Sequence, residues 1–271
     1  MKISISNIAW TRLEDEQISR VLSELSIKGI EVAPTMLWDN PLQQSDESVR
    51  DCLTFWEEKN IEIVAMQSLL FGQPDMLVFK DYQTRKETIS YLSKIIELGS
   101  QLGVKIYVFG SPKNRLAGKL GIKEVTDIAI EFFSALGEIA YKNKAKFCIE
   151  PNSSLYGCDF INTTDEGIEL VKKVAHPGFG LHLDAGVMAL NCENYEESLE
   201  RAFEYLEHFH ISEPYLQEIG KGKTDHTRIT DHLRRLNYNK WVSIEMRNGL
   251  MESNIRTVKN SLEYVLERYS A

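Results

Sequence analysis

Eight short apolar or alternating runs, each followed by a segment with helical spacing, constrain this chain more than any other feature of it. They fall near 2–9, 29–33, 61–70, 104–109, 146–150, 179–184, 206–212 and 241–246, where strand-forming residues are bounded by turn formers. Between them apolar residues recur on single helical faces: Ile18, Val21, Leu22 and Leu25; Ile89, Leu92 and Ile96; Ile128, Phe132 and Ile139; Ile255, Val258, Leu262 and Val265. Gly29, Gly103 and the Pro177-Gly178 pair stand just before strands, where a helix must stop and the chain turn back. Regular alternation of strand and helix predicts a parallel sheet. Eight such units in 271 residues predict an α/β fold, a closed parallel eight-stranded (β/α)8 barrel with outer helices, in preference to an open doubly wound sheet. No G-x-G-x-x-G or G-x-x-x-x-G-K-S/T run follows an early strand, so the usual nucleotide-cradling loops are missing.

The absence of a Pro/Gly/Ser-rich linker or a charge block points to a single domain over 1–271. At 43% hydrophobic and 26% charged residues the chain can bury a substantial core and is too apolar for disorder. Its 31 basic and 40 acidic residues leave a net charge of −9, which repels a phosphate backbone and argues against nucleic acid as a partner. No run of about 18 apolar residues is present to span a membrane, and the first ten residues alternate instead of forming an apolar signal core, so a cytoplasmic location is expected. Cys52, Cys148, Cys158 and Cys192 form no C-x-x-C pair and read as reduced thiols, two of them packed near strands.

A barrel carries its working groups at the C-terminal ends of its strands. Strands five to eight read Phe147-Cys148-Ile149-Glu150, Leu181-His182-Leu183-Asp184, His208-Phe209-His210-Ile211 and Val242-Ser243-Ile244-Glu245. Each ends on a potential metal ligand, and neighbouring strands can aim three carboxylates and one imidazole at one spot on the axis. Uncompensated, the carboxylates would repel and their pKa values would rise. One divalent cation relieves this, and the ligand set favours Mn²⁺, Mg²⁺ or Co²⁺, with Zn²⁺ also acceptable. His182 and His208 share faces with Asp184 and His210 but lie lower in the barrel, and read equally as packed, hydrogen-bonded histidines or as groups that support a ligand from behind, not as ligands themselves. In the loop Ile219–His226, Lys221 is a candidate for meeting an anion, as is Arg247 beyond strand eight. Trp10, Trp38, Phe71 and Tyr156 are placed where loops should roof the mouth and could stack on a sugar's C–H face. Asn7 and Gln67 could hydrogen-bond to hydroxyls.

The runs Ile149-Glu150-Pro151-Asn152, Leu183-Asp184, His208-Phe209-His210-Ile211-Ser212-Glu213 and Ser243-Ile244-Glu245 resemble the xylose isomerase-like TIM barrels, and within them the sugar and sugar-phosphate isomerases and epimerases typified by ketose 3-epimerases. Gly29-Ile30-Glu31-Val32 and Ile61-Glu62-Ile63-Val64 also fit. The resemblance implies Glu150, Asp184, His210 and Glu245 as metal ligands, with Glu150 and Glu245 doubling as the catalytic acid/base pair, and it adds Glu213 to the substrate-binding candidates. It implies metal-assisted proton transfer next to a carbonyl through an enediolate, on a small carbohydrate or sugar phosphate, in a homo-oligomer such as a dimer or tetramer.

Three substrate contacts of the ketose 3-epimerases differ here: Val187 replaces a histidine, Tyr156 an acidic residue and Leu216 an arginine, so a substrate other than a free ketohexose is expected. The competing readings are an inosose-type dehydratase or lyase, in which the same intermediate expels a β-hydroxyl, and a non-catalytic sugar-binding barrel. The endonuclease IV type of DNA-repair enzyme needs additional histidines that strands two and three lack.

Overall fold

The computed structural model describes residues 1–269 and shows a closed barrel with strand order β1-β2-β3-β4-β5-β6-β7-β8. The strands are β1 Lys2–Ser6, β2 Gly29–Val32, β3 Glu62–Met66, β4 Ile106–Phe109, β5 Lys146–Ile149, β6 Phe179–Asp184, β7 Leu206–Ser212 and β8 Trp241–Glu245. Every adjacent pair is parallel, including the β1–β8 closure that sets Lys2 beside Trp241 and Ile5 beside Ile244. Expected and observed strands agree in number and place; six are shorter than expected, four by one or two residues and two by more. The run 2–9 stops at Ser6 because Asn7–Ala9 turns into a 3₁₀ helix, and 61–70 stops at Met66 before Ser68 adopts a left-handed backbone with φ 54°.

Side chains alternate between the two faces of each strand. The outward set is aliphatic or aromatic: Ile3 and Ile5, Ile30 and Val32, Tyr107 and Phe109, Leu181 and Leu183, Phe209 and Ile211, Val242 and Ile244 are all buried beneath the outer helices. Around β4 to β6 this layer is a cluster of rings in which Phe109 stands 5.5 Å from Phe147, and Phe133 lies 5.1 Å from Phe179. The apolar helix faces locate the helices correctly, but one is rotated from expectation. In Ile122–Lys142 the fully buried residues are Ala129, Phe132, Phe133, Leu136 and Ala140, while Ile128 and Ile139 lie at the edge. The close packing of that helix on the chain entering β6 explains the residue there: a Cβ on Gly178 would fall 2.0 Å from the Gly137 carbonyl oxygen.

The inward set is polar over much of the barrel. Ser4, Ser6, Glu31, His182, Asp184, His208, His210, Ser212, Ser243 and Glu245 are all buried, whereas barrel interiors are usually filled by branched apolar side chains. Such a core is tolerable only if its groups find partners or bind something. Cys148 and Cys158 are buried, and all four cysteines are free thiols. Among the described residues no helix is long and apolar enough to cross a membrane.

Candidate active site at the barrel mouth

Glu150, Asp184, His210 and Glu245 meet at the C-terminal mouth, each offering a ligand atom within 4.8 Å of the others. Strand register sets Asp184 beside His210, and Glu245 beside Ser212, two residues farther along β7. Each side chain is then held. Asp184 caps the helix Ala185–Leu190, its Oδ1 accepting from the Val187 backbone N–H at 2.6 Å, while Oδ2 accepts from the Ser212 hydroxyl at 2.5 Å. Arg115, wholly buried in the loop after β4, donates through Nη2 to the Glu150 carbonyl oxygen at 2.7 Å and fixes the end of β5 from behind. Gly110 leaves the space that the Glu150 carboxyl fills: a Cβ there would lie 2.3 Å from its Oε2.

His210 is the hinge of the cluster. Its Nε2 is 2.9 Å from Oε2 of the fully buried Glu31, reached across the barrel, so that Nδ1 is turned toward the mouth. Nδ1 lies 3.2 Å from Glu245 and 3.8 Å from Asp184 but makes no hydrogen bond. An imidazole nitrogen that is buried, without a hydrogen-bond partner and grouped with three carboxylates is free to ligate a cation. The donor set of one imidazole and three carboxylates suits a divalent ion. These residues therefore fit a metal.

The electrostatics agree. Burial, the neighbouring Glu245 charge and Asp184 push the Glu150 carboxyl up to about 8, against the pull of His210 and Arg115. Burial and Glu245 likewise raise Asp184 to about 6, opposed by His210 and its two hydrogen bonds. Burial alone would depress His210, yet Glu31 and Glu245 override it and hold its pKa well above the usual range. Glu31 is the converse: burial raises its pKa, but His210 and His208 outweigh that and keep it far below the usual carboxylate value.

Glu31 and Arg115 were not singled out by the sequence as site residues. Glu31 carried a signal, since it alternates with Ile30 and Val32 and so must face the axis; Arg115 ends the short 3₁₀ helix Pro112–Arg115, which no periodicity marks, and carried none. His208 is buried, with Nε2 at 3.1 Å from the Ser243 hydroxyl and 3.6 Å from Glu31 Oε2. His182 is packed at 4.0 Å between ring centroids from His210, and neither of its ring nitrogens has a partner.

Above the cluster opens a cavity of about 480 Å³ lined by Glu150, Asp184, Glu245, Gln67, Asn152, Tyr156, Glu213, Tyr215, Leu216 and Arg247 among others. It brings together four of the eight expected substrate-binding residues: Gln67, Tyr156, Glu213 and Arg247. The other four lie elsewhere. Asn7 spends its Oδ1 on the Ala33 backbone N–H at 2.7 Å. Trp10 is buried, with Nε1 donating to Asp15 at 2.7 Å, and Trp38 is packed beside Trp56 around a separate cavity. Lys221 is exposed outside the cavity, and Phe71, also expected at the mouth, lies exposed by another surface depression. Glu213 reaches the cavity wall, but its carboxylate is engaged by the backbone N–H groups of Gly220 and Thr224, both at 3.0 Å, and by His226 at 3.3 Å; it anchors the 220–224 loop.

Four lining residues that are not glycine hold left-handed backbones: Ser68 (φ 54°), Ser111 (φ 40°), Tyr215 (φ 62°) and Leu216 (φ 56°). Each such conformation costs about 1–2 kcal/mol, and their concentration here fits a site shaped for binding rather than for stability.

Fold and site together define a class, and comparison with known proteins agrees: residues 20–268 match the xylose isomerase-like TIM barrel family, to which this chain belongs. Among individual relatives it is similar to a probable ketose 3-epimerase of Synechocystis sp., 25% identical over 256 residues, covering 92% of this chain and 85% of that one. A D-psicose 3-epimerase of Ruminiclostridium cellulolyticum is 27% identical over 131 residues, covering 47% of this chain and 44% of its own. The fold is also that of a crystal structure of D-psicose 3-epimerase determined in the presence of D-fructose, with a TM-score of 0.84 at 17% identity and full coverage of both chains.

Proposed function

We propose that this protein is a divalent-metal-dependent isomerase or epimerase of a small carbohydrate or sugar phosphate, working by proton transfer beside a carbonyl. The observation that carries the proposal is the pair Glu150 and Glu245 on either side of a four-ligand cluster that opens into a 480 Å³ cavity. The ketose and psicose 3-epimerases among its relatives support the substrate class.

Glu150, Asp184, His210 and Glu245 would hold the cation, with Mn²⁺, Mg²⁺ or Co²⁺ preferred. Such an ion supplies Lewis-acid polarisation of the carbonyl and charge stabilisation of the enediolate. The chain's own part is proton handling. Glu150 and Glu245 come from strands three apart around the barrel and approach the cavity floor from different sides. One carboxylate can therefore take the proton next to the carbonyl and the other return a proton on the opposite face, which inverts the carbon. Asp184 is tied by two hydrogen bonds and serves in ligation, not proton transfer. Tyr156 and Tyr215, packed edge to face at 5.5 Å, form part of the cavity wall.

The test is carbon-bound deuterium uptake by NMR, with the Mn²⁺-loaded protein in D₂O and a panel of ketoses, their phosphates, sugar acids and inososes. Uptake with a new sugar signal is expected, and Glu150→Gln or Glu245→Gln should each abolish it in a folded protein. A product lacking a hydroxyl would mark a dehydratase instead, and no uptake by a metal-loaded protein would overturn proton transfer on these substrates.

A further inference from the structure

Arg247 stands two residues beyond Glu245, at the exposed rim of the cavity that the three carboxylates floor. Its backbone N–H donates to the Leu216 carbonyl oxygen at 3.0 Å, which fixes the main chain at the rim. Among the described residues its guanidinium makes no ion pair and no hydrogen bond. It shares that freedom with Arg12, Arg50, Arg85, Arg235 and Arg256, whereas Arg20, Arg201, Arg228, Arg234 and Arg268 lie within 4 Å of a carboxylate; among the described residues it is the arginine that lines this cavity.

The wall between floor and rim mixes apolar and polar groups, with hydroxyls on Ser68, Ser111, Tyr156 and Tyr215. Val108, Val187, Leu216 and Pro112 are apolar, and Tyr156 already accepts a hydrogen bond from the Tyr215 backbone N–H at 2.9 Å. Gln67 and Asn152 are partly committed, Gln67 Nε2 to Ser6 at 2.7 Å and Asn152 Nδ2 to the Pro151 carbonyl oxygen at 3.0 Å.

Charge then sets the orientation. Three carboxylates against the two charges of a divalent cation leave the floor net negative, so an anionic group on the ligand is repelled from it and drawn to the cation at the rim. A guanidinium offers a planar fork of donors that matches phosphate and carboxylate oxygens, and it loses no internal partner on binding them.

We infer that the substrate carries an oxyanion, a phosphate or a carboxylate, which Arg247 binds at the rim while the carbonyl-bearing end reaches Glu150, Asp184, His210 and Glu245. This assignment rests on the proton-transfer function proposed above. Arg247 is then the residue that sets substrate class, and it compensates for the three contacts to neutral ketoses replaced by Val187, Tyr156 and Leu216.

The experiment compares D-fructose, D-fructose 6-phosphate and D-fructuronate with the Mn²⁺-loaded protein, reading kcat/KM from deuterium uptake and affinity from calorimetry. One of the two anionic sugars should exceed D-fructose at least tenfold, and which one does so separates phosphate from carboxylate. In Arg247→Gln that ratio should fall at least tenfold, with Arg247→Lys between. Equal use of D-fructose, or a ratio unchanged in Arg247→Gln, overturns the assignment. Binding keeps the two proposals apart. Arg247-dependent binding of an anionic sugar without uptake sinks proton transfer and leaves the oxyanion site; uptake without dependence on Arg247 does the reverse.

Discussion

Replacing Glu31 by glutamine isolates the contribution of a buried charge that no ligand of the proposed cation would reveal by itself. Glu31 is fully buried, 2.9 Å from His210 Nε2 and 3.6 Å from His208 Nε2. A glutamine of nearly the same shape can still accept a hydrogen bond from His210 Nε2, so the ring orientation survives and only the charge is removed. That charge raises the basicity of the imidazole and so strengthens Nδ1 as a ligand. Carboxylates behind a ligating histidine contribute roughly 10- to 100-fold in metal affinity, or about 1.4–2.7 kcal/mol. Mn²⁺ titration calorimetry on Glu31→Gln should therefore show Kd weakened by about one to two orders of magnitude, with the circular dichroism of the folded barrel retained. An unchanged Kd in a folded variant would refute the reasoning, because it would mean that Nδ1 is not a ligand or that Glu31 does not act through it. Glu31→Ala is the contrasting case: stripping a buried ion pair of one partner costs about 3–5 kcal/mol, so it should lower thermal stability even without metal.

Gly110→Ala puts a methyl group 2.3 Å from Glu150 Oε2 and must displace that carboxyl. A shift near 1 Å in a reacting group costs on the order of 10²-fold in rate, and steady-state kcat in the folded variant checks it. In the metal-free protein, Glu150 raised to about 8 and Asp184 raised to about 6 keep protons that the unfolded chain has already released, and the elevated His210 does the same at higher pH. Buried His182, whose pKa is depressed, acts in the opposite sense until it is neutral in both states near pH 6.5; above that the native state binds more protons than the unfolded state, so stability falls as pH rises from about 6.5 to 8. Glu31, with its depressed pKa, already contributes fully above the ordinary carboxylate range and does not offset the trend. Calorimetric Tm of the chelated protein should drop across that interval by roughly 2–4 °C per kcal/mol lost, and saturating Mn²⁺ should flatten the slope; a Tm that rises with pH in the chelated protein contradicts the charge arrangement.

The barrel itself was legible in the amino-acid order because two periodicities write it. Period-two strands such as Lys2–Ser6 and Trp241–Glu245 and 3.6-period helices between them admit few other closed arrangements. The mouth cluster was legible for the same reason: Glu150, Asp184, His210 and Glu245 lie at or near the C-terminal ends of four consecutive strands, and a parallel barrel gathers those ends at one mouth. Long-range partners were not legible. That His210 is backed by Glu31, 179 residues away in the chain, depends on which strands face one another across a closed barrel. Arg115 supporting Glu150, and Trp10 and Trp38 packing into the body of the protein instead of the cavity, depend on irregular loops whose paths no periodicity encodes. The sequence determined which groups face the axis because alternation is a local property of a strand. The tertiary structure decided which of those groups touch, and which of the loop residues, Arg247 above all, are left facing the cavity without a partner, because that is settled only by the packing of distant segments.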